Sequence, residues 1–129
     1  MKTLVICGSN RFLTEIREIS QSLKNKGVVV YEPYLHPPEN EWEKLSEDYK
    51  KYISLGLTHD HIYNIRLADV VFIYNKNKYV GVGTTMEIGC AIALGKPVYA
   101  LEADDEEWAR RALYRGTTTN VEELLEILK

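Results

Sequence analysis

A single carboxylate stands in a glycine-rich segment where residue types and spacing could support chemistry. The segment runs Gly81-Val-Gly-Thr-Thr-Met-Glu87, and we expect a helix to begin at its glycines with Glu87 in the first turn. The first N–H groups of a helix carry partial positive charge, so an acid there stays ionised, and glycines let a ligand approach the backbone. Glu87 is therefore a candidate nucleophile or part of an anion site, with Gly81, Gly83 and Thr84 as candidate substrate contacts. The alternative is a packing joint in which Glu87 only caps the helix.

A second candidate site follows the first apolar run of the chain, where Gly8, Ser9, Asn10 and Arg11 precede a helical pattern. A glycine, a hydroxyl and a guanidinium at a helix N-terminus can hold a phosphate. The alternative is that Ser9 or Asn10 caps the helix and Arg11 is solvated. The segment is not a dinucleotide fingerprint, because no third glycine follows, and it is not a Walker loop, because it lacks Gly-Lys-Ser/Thr.

Asp69 is a candidate second carboxylate, because it opens an apolar run at 69–74 and a short strand there could direct it toward the pocket. The alternative is a cap or surface group at the start of the strand. His61 stands eight residues earlier on the preceding helical pattern, and a single histidine there is more often a surface or capping group than a catalyst.

The elements that must position these residues alternate along the chain. Apolar runs predict strands over 2–7, 28–31, 69–74 and 98–101, with a short fifth strand near 117–119, and helical patterns separate them. This alternation predicts one domain over residues 1–129, a flavodoxin- or Rossmann-like three-layer α/β sandwich. Its parallel sheet has four or five strands in the order 2-1-3-4-5. Ligands of such sheets bind outside the carboxyl ends of the strands, which would bring both loops together.

The segment between the second and third predicted strands carries two helical patterns and an irregular loop. We expect Asn40 to cap a helix that Gly56 breaks, and a second helix from about Asp60 to Leu67. The proline-rich loop at 35–39, which contains His36, is a candidate lid.

Composition narrows the classes of function. The chain of 129 residues has a net charge of −3, so it offers no general attraction to nucleic acid polymers or anionic membranes. It contains neither an apolar span of about 20 residues nor a secretory leader, which favours a cytoplasmic protein. Cys7 and Cys90 lack metal-ligand spacing and are expected to be buried reduced thiols.

Four segments resemble the nucleoside 2-deoxyribosyltransferase family and the related 2'-deoxynucleoside 5'-phosphate N-hydrolases. The similarity covers nearly the whole chain in order, and the glycine-rich segment that ends in glutamate is its most specific part. The matching segments are Val5-Ile-Cys-Gly-Ser-Asn-Arg11, Ala68-Asp-Val-Val71, Gly81-Val-Gly-Thr-Thr-Met-Glu-Ile-Gly-Cys-Ala91 and Gly95-Lys-Pro-Val98.

The resemblance implies roles for individual residues. Glu87 matches the family's nucleophile, and Asp69 matches an active-site carboxylate. Ser9 and Arg11 match residues that bind the 5'-phosphate in the hydrolase branch. Arg111 falls where the hydrolase has a serine that reaches phosphate across a dimer, so the resemblance also implies a homodimer or higher homo-oligomer.

Two departures from the family pattern bear on specificity. Val5 stands where the family often has a polar group on strand one, and Gly81 stands where the transferase branch has an aspartate that contacts the base. The missing aspartate and the presence of Gly-Ser-Asn-Arg favour a nucleotide hydrolase over a nucleoside transferase. The spacing around Glu87 also resembles phosphoribohydrolases that release cytokinin bases, although their Pro-Gly-Gly is absent.

The expected reaction is cleavage of the N-glycosidic bond of a 2'-deoxynucleoside or its 5'-monophosphate. Glu87 would form a covalent deoxyribosyl ester, which is hydrolysed or captured by another base, while Asp69 orients the sugar or exchanges a proton. This chemistry requires no metal or redox cofactor. The alternatives are a ribonucleotide phosphoribohydrolase and a non-catalytic module that senses a nucleotide in the same pocket.

The glycine-rich segment continues into a helix that carries almost no charge after Glu87. A surface helix normally shows a polar face, so this helix is expected either to be buried in the monomer or to meet a second subunit. We expect a closed symmetric homo-oligomer, most simply a twofold dimer.

Overall fold

The computed structural model describes residues 1–34 and 39–129. The candidate lid at 35–39, with His36, falls almost entirely outside the described residues. The strands are β1 (Leu4–Gly8), β2 (Val30–Tyr31), β3 (Val70–Tyr74), β4 (Val98–Ala100) and β5 (Gly116–Thr117). The helices are α1 (Leu13–Asn25), α2 (Glu39–Glu43), α3 (Glu47–Leu67), α4 (Val82–Ala93), α5 (Trp108–Arg111) and α6 (Val121–Leu128). None of the helices in this described part combines the length and apolarity needed to cross a membrane.

The strands form one parallel sheet in the order β2-β1-β3-β4-β5. Each strand after β1 is reached through a helical crossover, as parallel pairing requires. The predicted fold class and strand order are therefore confirmed. In the central pair, Leu4 lies opposite Val70 and Gly8 lies opposite Tyr74, so β1 and β3 end together at the same edge of the sheet.

Two separate cores cover the two faces of this sheet. Because side chains alternate along a strand, Leu4 and Ile6 point to the face covered by α1 and α6, whereas Val5 and Cys7 point to the face covered by α3 and α4. All four side chains are fully buried. Cys7 is thus the last buried side chain of β1 on the α3–α4 side, directly below the carboxyl edge of the sheet.

Helix α3 runs without interruption for 21 residues, so the predicted break at Gly56 is wrong. The helix begins after Ser46, whose hydroxyl accepts a hydrogen bond from the N–H of Tyr49 at 3.2 Å. Asn40 lies inside the short α2 rather than capping a long helix. A helical glycine costs only about 1 kcal/mol relative to alanine, and the helix formers on both sides of Gly56 outweigh that cost.

Helix α4 begins at Val82, with Gly81 as its N-cap residue. The hydroxyl and the N–H of Thr85 both donate to the Gly81 carbonyl, at 2.8 and 2.9 Å. Glu87 is therefore the sixth helical residue and lies in the second turn, not in the first turn as predicted. The unpaired N–H groups belong to the turn before it, so they are available to a ligand rather than to the Glu87 carboxylate.

Candidate active site

A pocket of about 370 Å³ opens at the carboxyl edge of the sheet. Its polar side is formed by the loop after β1 and by the first two turns of α4. The structure thereby brings together most of the residues predicted for the site: Gly8, Ser9, Asn10, Gly81, Gly83, Thr84 and Glu87. The volume lies in the range of ordinary small-molecule sites.

The apolar wall of the pocket comes from three elements. Pro33 and Tyr34 follow β2, Leu57 and Ile62 project from α3, and Met86 projects from α4. Tyr34 and Met86 are exposed on the outside of the protein, so this wall forms part of the pocket mouth. Apolar and aromatic surface of this kind suits the flat face of a heterocyclic ring.

Three side chains from three elements converge where the pocket meets the core. His61 Nε2 lies 3.3 Å from Glu87 Oε2 and 3.3 Å from Cys7 Sγ. His61 is only 8% exposed, and Cys7 is fully buried. Glu87 is partly exposed and faces the pocket, so its carboxylate is the member of this group that a ligand can reach.

Buried polar atoms at this point lack hydrogen bonds within the described residues. Both His61 Nδ1 and Glu87 Oε2 are buried without such a partner, and the 3.3 Å contact between His61 and Glu87 lacks the geometry of a hydrogen bond. Burial raises the pKa of the Cys7 thiol well above its usual value, and the nearby charge of Glu87 raises it further. The thiol is therefore neutral, and Glu87 Oε2 is left without a hydrogen-bond partner among the described residues.

A partly buried network of hydrogen bonds links the segment around Asp105 to the first turn of α4. Asp105 binds the Arg110 guanidinium through both carboxylate oxygens, and Arg110 Nη1 donates to Thr85 Oγ1 at 3.0 Å. Thr85 in turn holds the Gly81 carbonyl, and the Tyr114 hydroxyl donates to Asp105 at 2.8 Å. Burial alone would raise the pKa of Asp105, but the hydrogen bonds from Arg110, from a backbone N–H and from Tyr114 together lower it below its usual value.

Asp69 does not lie at this site, which corrects the expectation that it acts beside Glu87. It immediately precedes β3, at the amino edge of the sheet, about 16 Å of extended chain away from Tyr74. Its carboxylate accepts hydrogen bonds from the N–H and the hydroxyl of Thr3, at 2.8 and 3.1 Å. These bonds lower the pKa of Asp69 and join the beginnings of β1 and β3. This position fits the alternative interpretation, in which Asp69 caps the start of the strand.

The two arginines expected at a phosphate do not line the pocket. The guanidinium of Arg11 stacks on the ring of Tyr79, 3.5 Å from its centroid, although Arg11 directly follows the pocket residue Asn10. Arg111 pairs with Asp104 at 3.1 Å and stacks on Trp108. Contacts of either arginine with phosphate therefore stay predictions. The Ser9 hydroxyl accepts the N–H of Arg11 at 3.3 Å and caps the short turn that leads into α1.

His61 is the site residue that sequence reasoning missed. The signal that could have found it is the spacing of His61, Ile65 and Ala68, which places the histidine on the face of α3 that packs against the sheet. Helix α3 ends just before β3 begins, at the amino edge of the sheet. The earlier turns of α3, which include His61, therefore lie nearer the carboxyl edge. A histidine in line with a buried face is closer to the pocket than its exposed neighbour His59.

An open parallel sheet with a carboxylate in a pocket at its carboxyl edge is typical of α/β proteins that bind small molecules at the switch point of the sheet. The family model of nucleoside 2-deoxyribosyltransferases matches residues 6–125. The chain therefore belongs to the nucleoside 2-deoxyribosyltransferase family. Membership supports an enzyme with deoxyribosyltransferase activity and a nucleoside as its small-molecule partner.

Solved structures share the fold at low sequence identity. The 2-deoxyribosyltransferase of the psychrotolerant bacterium Bacillus psychrosaccharolyticus is 16% identical, with a TM-score of 0.68 over 95% of this chain and 89% of that chain. A conserved protein from Enterococcus faecalis V583 is also 16% identical, with a TM-score of 0.61 over 98% and 96% of the two chains. No curated protein sequence gives a significant match.

Proposed function

We propose that the protein cleaves the N-glycosidic bond of a 2'-deoxynucleoside or its 5'-monophosphate, with Glu87 as the nucleophile. The observation that carries this proposal is the position of the Glu87 carboxylate, which is partly exposed and lines the strand-end pocket. Glu87 attacks C1' as the base departs, and a deoxyribosyl ester forms. Water or a second base then attacks C1' and releases the carboxylate. A 2-deoxy sugar favours this route, because it lacks the electron-withdrawing 2'-hydroxyl that would raise the energy of positive charge at C1'.

His61 takes the acid–base role that the sequence assigned to Asp69. Its Nε2 contacts the Glu87 carboxylate at 3.3 Å, and its ring lines the pocket. In the second step a neutral imidazole can accept the proton of the attacking water, which leaves the sugar with a new hydroxyl at C1' and frees Glu87. Because His61 is nine-tenths buried, its ring is fixed by packing and limits where the Glu87 carboxylate can move.

The sugar end of the substrate is expected to lie over the loop after β1. Ser9 and Asn10 line the pocket there, and the N–H groups of Gly83 and Thr84 belong to the unpaired first turn of α4. The exposed side chain of Arg11 can turn from Tyr79 toward a 5'-phosphate, because within residues 1–34 and 39–129 its guanidinium is held by a stacking contact rather than by an ion pair. This arrangement supports a nucleotide substrate, with hydrolysis as the expected outcome and transfer as the alternative.

Exposed apolar side chains on α3 and α4 support a homodimer. On α4, Val82 is 81% exposed and Met86 is 63% exposed, and on α3 Tyr52, Leu55 and Tyr63 are each more than half exposed. Exposed apolar side chains on two helices that pack together are a common feature of protein–protein interfaces. Since Met86 also forms part of the pocket mouth, a second copy on this surface would lie next to the site.

The direct test incubates the protein with deoxynucleosides and deoxynucleoside monophosphates, with and without an acceptor base, and separates the products. Release of free base, abolished in Glu87→Gln and unchanged in the exposed control Glu122→Gln, would support the proposal. A new nucleoside that forms only with acceptor would indicate transfer. If an added nucleoside or nucleotide raises the melting temperature but no substrate gives a product, the proposed reaction is contradicted. That result would favour the non-catalytic sensing module.

A further inference from the structure

Cys7, His61 and Glu87 each place one potential metal-ligand atom at the same point, although no metal-binding motif in the sequence links these residues. The Sγ, imidazole nitrogen and carboxylate oxygen all lie within 4.8 Å of one another. They come from the end of β1, from α3 and from α4, which are fixed relative to one another by the core on that face of the sheet. A site assembled from three packed elements is preformed rather than dependent on a flexible loop.

Two of the separations between these atoms are close to those around a tetrahedral ion. Zinc binds a thiolate sulfur at about 2.3 Å and an imidazole nitrogen or carboxylate oxygen at about 2.0–2.2 Å. At tetrahedral angles those bonds place the ligand atoms roughly 3.4–3.6 Å apart. His61 Nε2 lies 3.3 Å from both Cys7 Sγ and Glu87 Oε2, so these two separations are within a few tenths of an ångström of the tetrahedral values. The sulfur and the carboxylate oxygen lie within 4.8 Å of each other.

A second observation independently points to a ligand at this point. The Glu87 Oε2 atom is buried without a hydrogen bond among the described residues, and the nine-tenths buried His61 directs Nε2 at it. A buried polar atom normally finds a partner. Sulfur, nitrogen and oxygen together select zinc or cobalt over magnesium or calcium, which prefer oxygen alone.

We propose that Cys7, His61 and Glu87 bind one divalent ion of the zinc class, and that the bound ion blocks the reaction. The fourth position of the ion faces the pocket and would take a water molecule, as in zinc sites with three protein ligands. Coordination takes the proton from the Cys7 thiol and releases it to solvent. It also draws electron density from the Glu87 carboxylate, which makes that group a weaker nucleophile toward C1'. The blocking effect rests on the proposed function, but binding of the ion does not.

Cobalt(II) tests binding without reference to activity. Protein stripped with a chelator is titrated with Co²⁺ under reducing conditions, and absorption is followed in the near ultraviolet, where cobalt–thiolate charge transfer occurs, and in the visible. We expect one equivalent to bind with a charge-transfer band and a tetrahedral visible spectrum, and Zn²⁺ to displace it. Absence of a charge-transfer band, or binding only at exposed carboxylates without it, would overturn the proposal.

Matched variants assign the ligands. Cys7→Ser should remove the charge-transfer band, whereas Cys90→Ser should keep it. His61→Asn should weaken Co²⁺ binding at least about tenfold, whereas the exposed neighbour His59→Asn should not change it. Because serine in a core position could unfold the protein, Cys7→Ala is measured alongside, with the melting temperature of each variant. The assignment is refuted if Cys7→Ser and Cys90→Ser show the same charge-transfer band. It is also refuted if His61→Asn and His59→Asn bind Co²⁺ equally well.

Inhibition is measured separately on whichever substrate shows turnover. Zn²⁺ should inhibit wild-type protein, and a chelator should restore the rate. Relative to its own rate without metal, Cys7→Ala should need at least about tenfold more Zn²⁺ for half inhibition. Cobalt binding without inhibition would overturn only the blocking step, and cobalt binding in a protein that turns over no substrate would count against the proposed function alone.

Discussion

Replacement of His61 by asparagine tests the acid–base assignment in most detail. Asparagine keeps a polar group of similar reach but cannot exchange a proton at neutral pH. In the wild-type protein, His61 Nε2 lies 3.3 Å from Glu87 Oε2 in a nearly buried setting. If His61 only positioned Glu87, the substitution would remove a 3.3 Å contact that is not a hydrogen bond. That loss should not exceed the net value of an ordinary hydrogen bond, about 0.5–1.5 kcal/mol, and would lower the rate by about 2- to 13-fold. Loss of general acid–base catalysis removes about 10²–10⁴-fold, equivalent to about 2.7–5.5 kcal/mol.

The assay is steady-state release of free base by wild type, His61→Asn and the control His59→Asn across a range of pH. We expect kcat of His61→Asn to fall by about 10²–10⁴-fold, with a smaller change in KM, and one ionisation to disappear from its pH–rate profile. His59→Asn should match wild type, because His59 is exposed on the same helix. A decrease in kcat of less than about tenfold, or an unchanged pH profile, would refute the acid–base role. A melting temperature equal to wild type excludes unfolding as the cause.

Three further predictions concern the substrate's phosphate, the support behind α4 and assembly. Arg11→Ala should weaken catalysis on a 5'-monophosphate about 10- to 150-fold more than on the matching nucleoside, while Arg17→Ala affects neither; equal decreases on both substrates would place Arg11 outside the phosphate site. The lowered pKa of Asp105 means that its stabilisation is present above the unfolded value near pH 4 and is lost as pH falls through the folded pKa. Urea unfolding at several pH values should show that Asp105→Asn lacks this acid-side decrease, and an identical decrease in the variant would refute the network. Light scattering should give at least twice the 14.9 kDa chain mass for wild type and a smaller mass for Val82→Glu, whereas a monomeric wild type that still turns over substrate would contradict the dimer.

The sheet could be predicted from the sequence because each strand is a short apolar run bounded by polar or glycine residues. The β3 segment Val70–Tyr74 is buried throughout, as expected for a strand covered on both faces. Helix ends were less predictable, since they depend on weak local preferences. Ser46 starts α3, and Gly56 is carried inside it, because a single glycine does not outweigh the neighbouring turns.

Part of the candidate site also followed from order along the chain. Parallel strands must end at one edge, so the loop after β1 and the start of α4 had to meet, and the structure places Ser9 and Glu87 in one pocket. The same rule argues against Asp69, because a residue that precedes its strand lies at the other edge. The spacing of His61, Ile65 and Ala68 could have placed the histidine on the buried face of α3, but its contact with Glu87 depends on how α3 and α4 pack.

Trapping the covalent intermediate on Glu87 tests the central claim most directly. The protein is mixed with a deoxynucleoside or its monophosphate, quenched in acid during turnover, digested and examined by mass spectrometry. The mechanism predicts a deoxyribosyl or phosphodeoxyribosyl adduct on the peptide that contains Glu87. It also predicts no adduct in Glu87→Gln, whose kcat should fall by about 10³-fold or more. An unmodified Glu87 peptide during active turnover, together with more than a tenth of wild-type activity in Glu87→Gln, would contradict it.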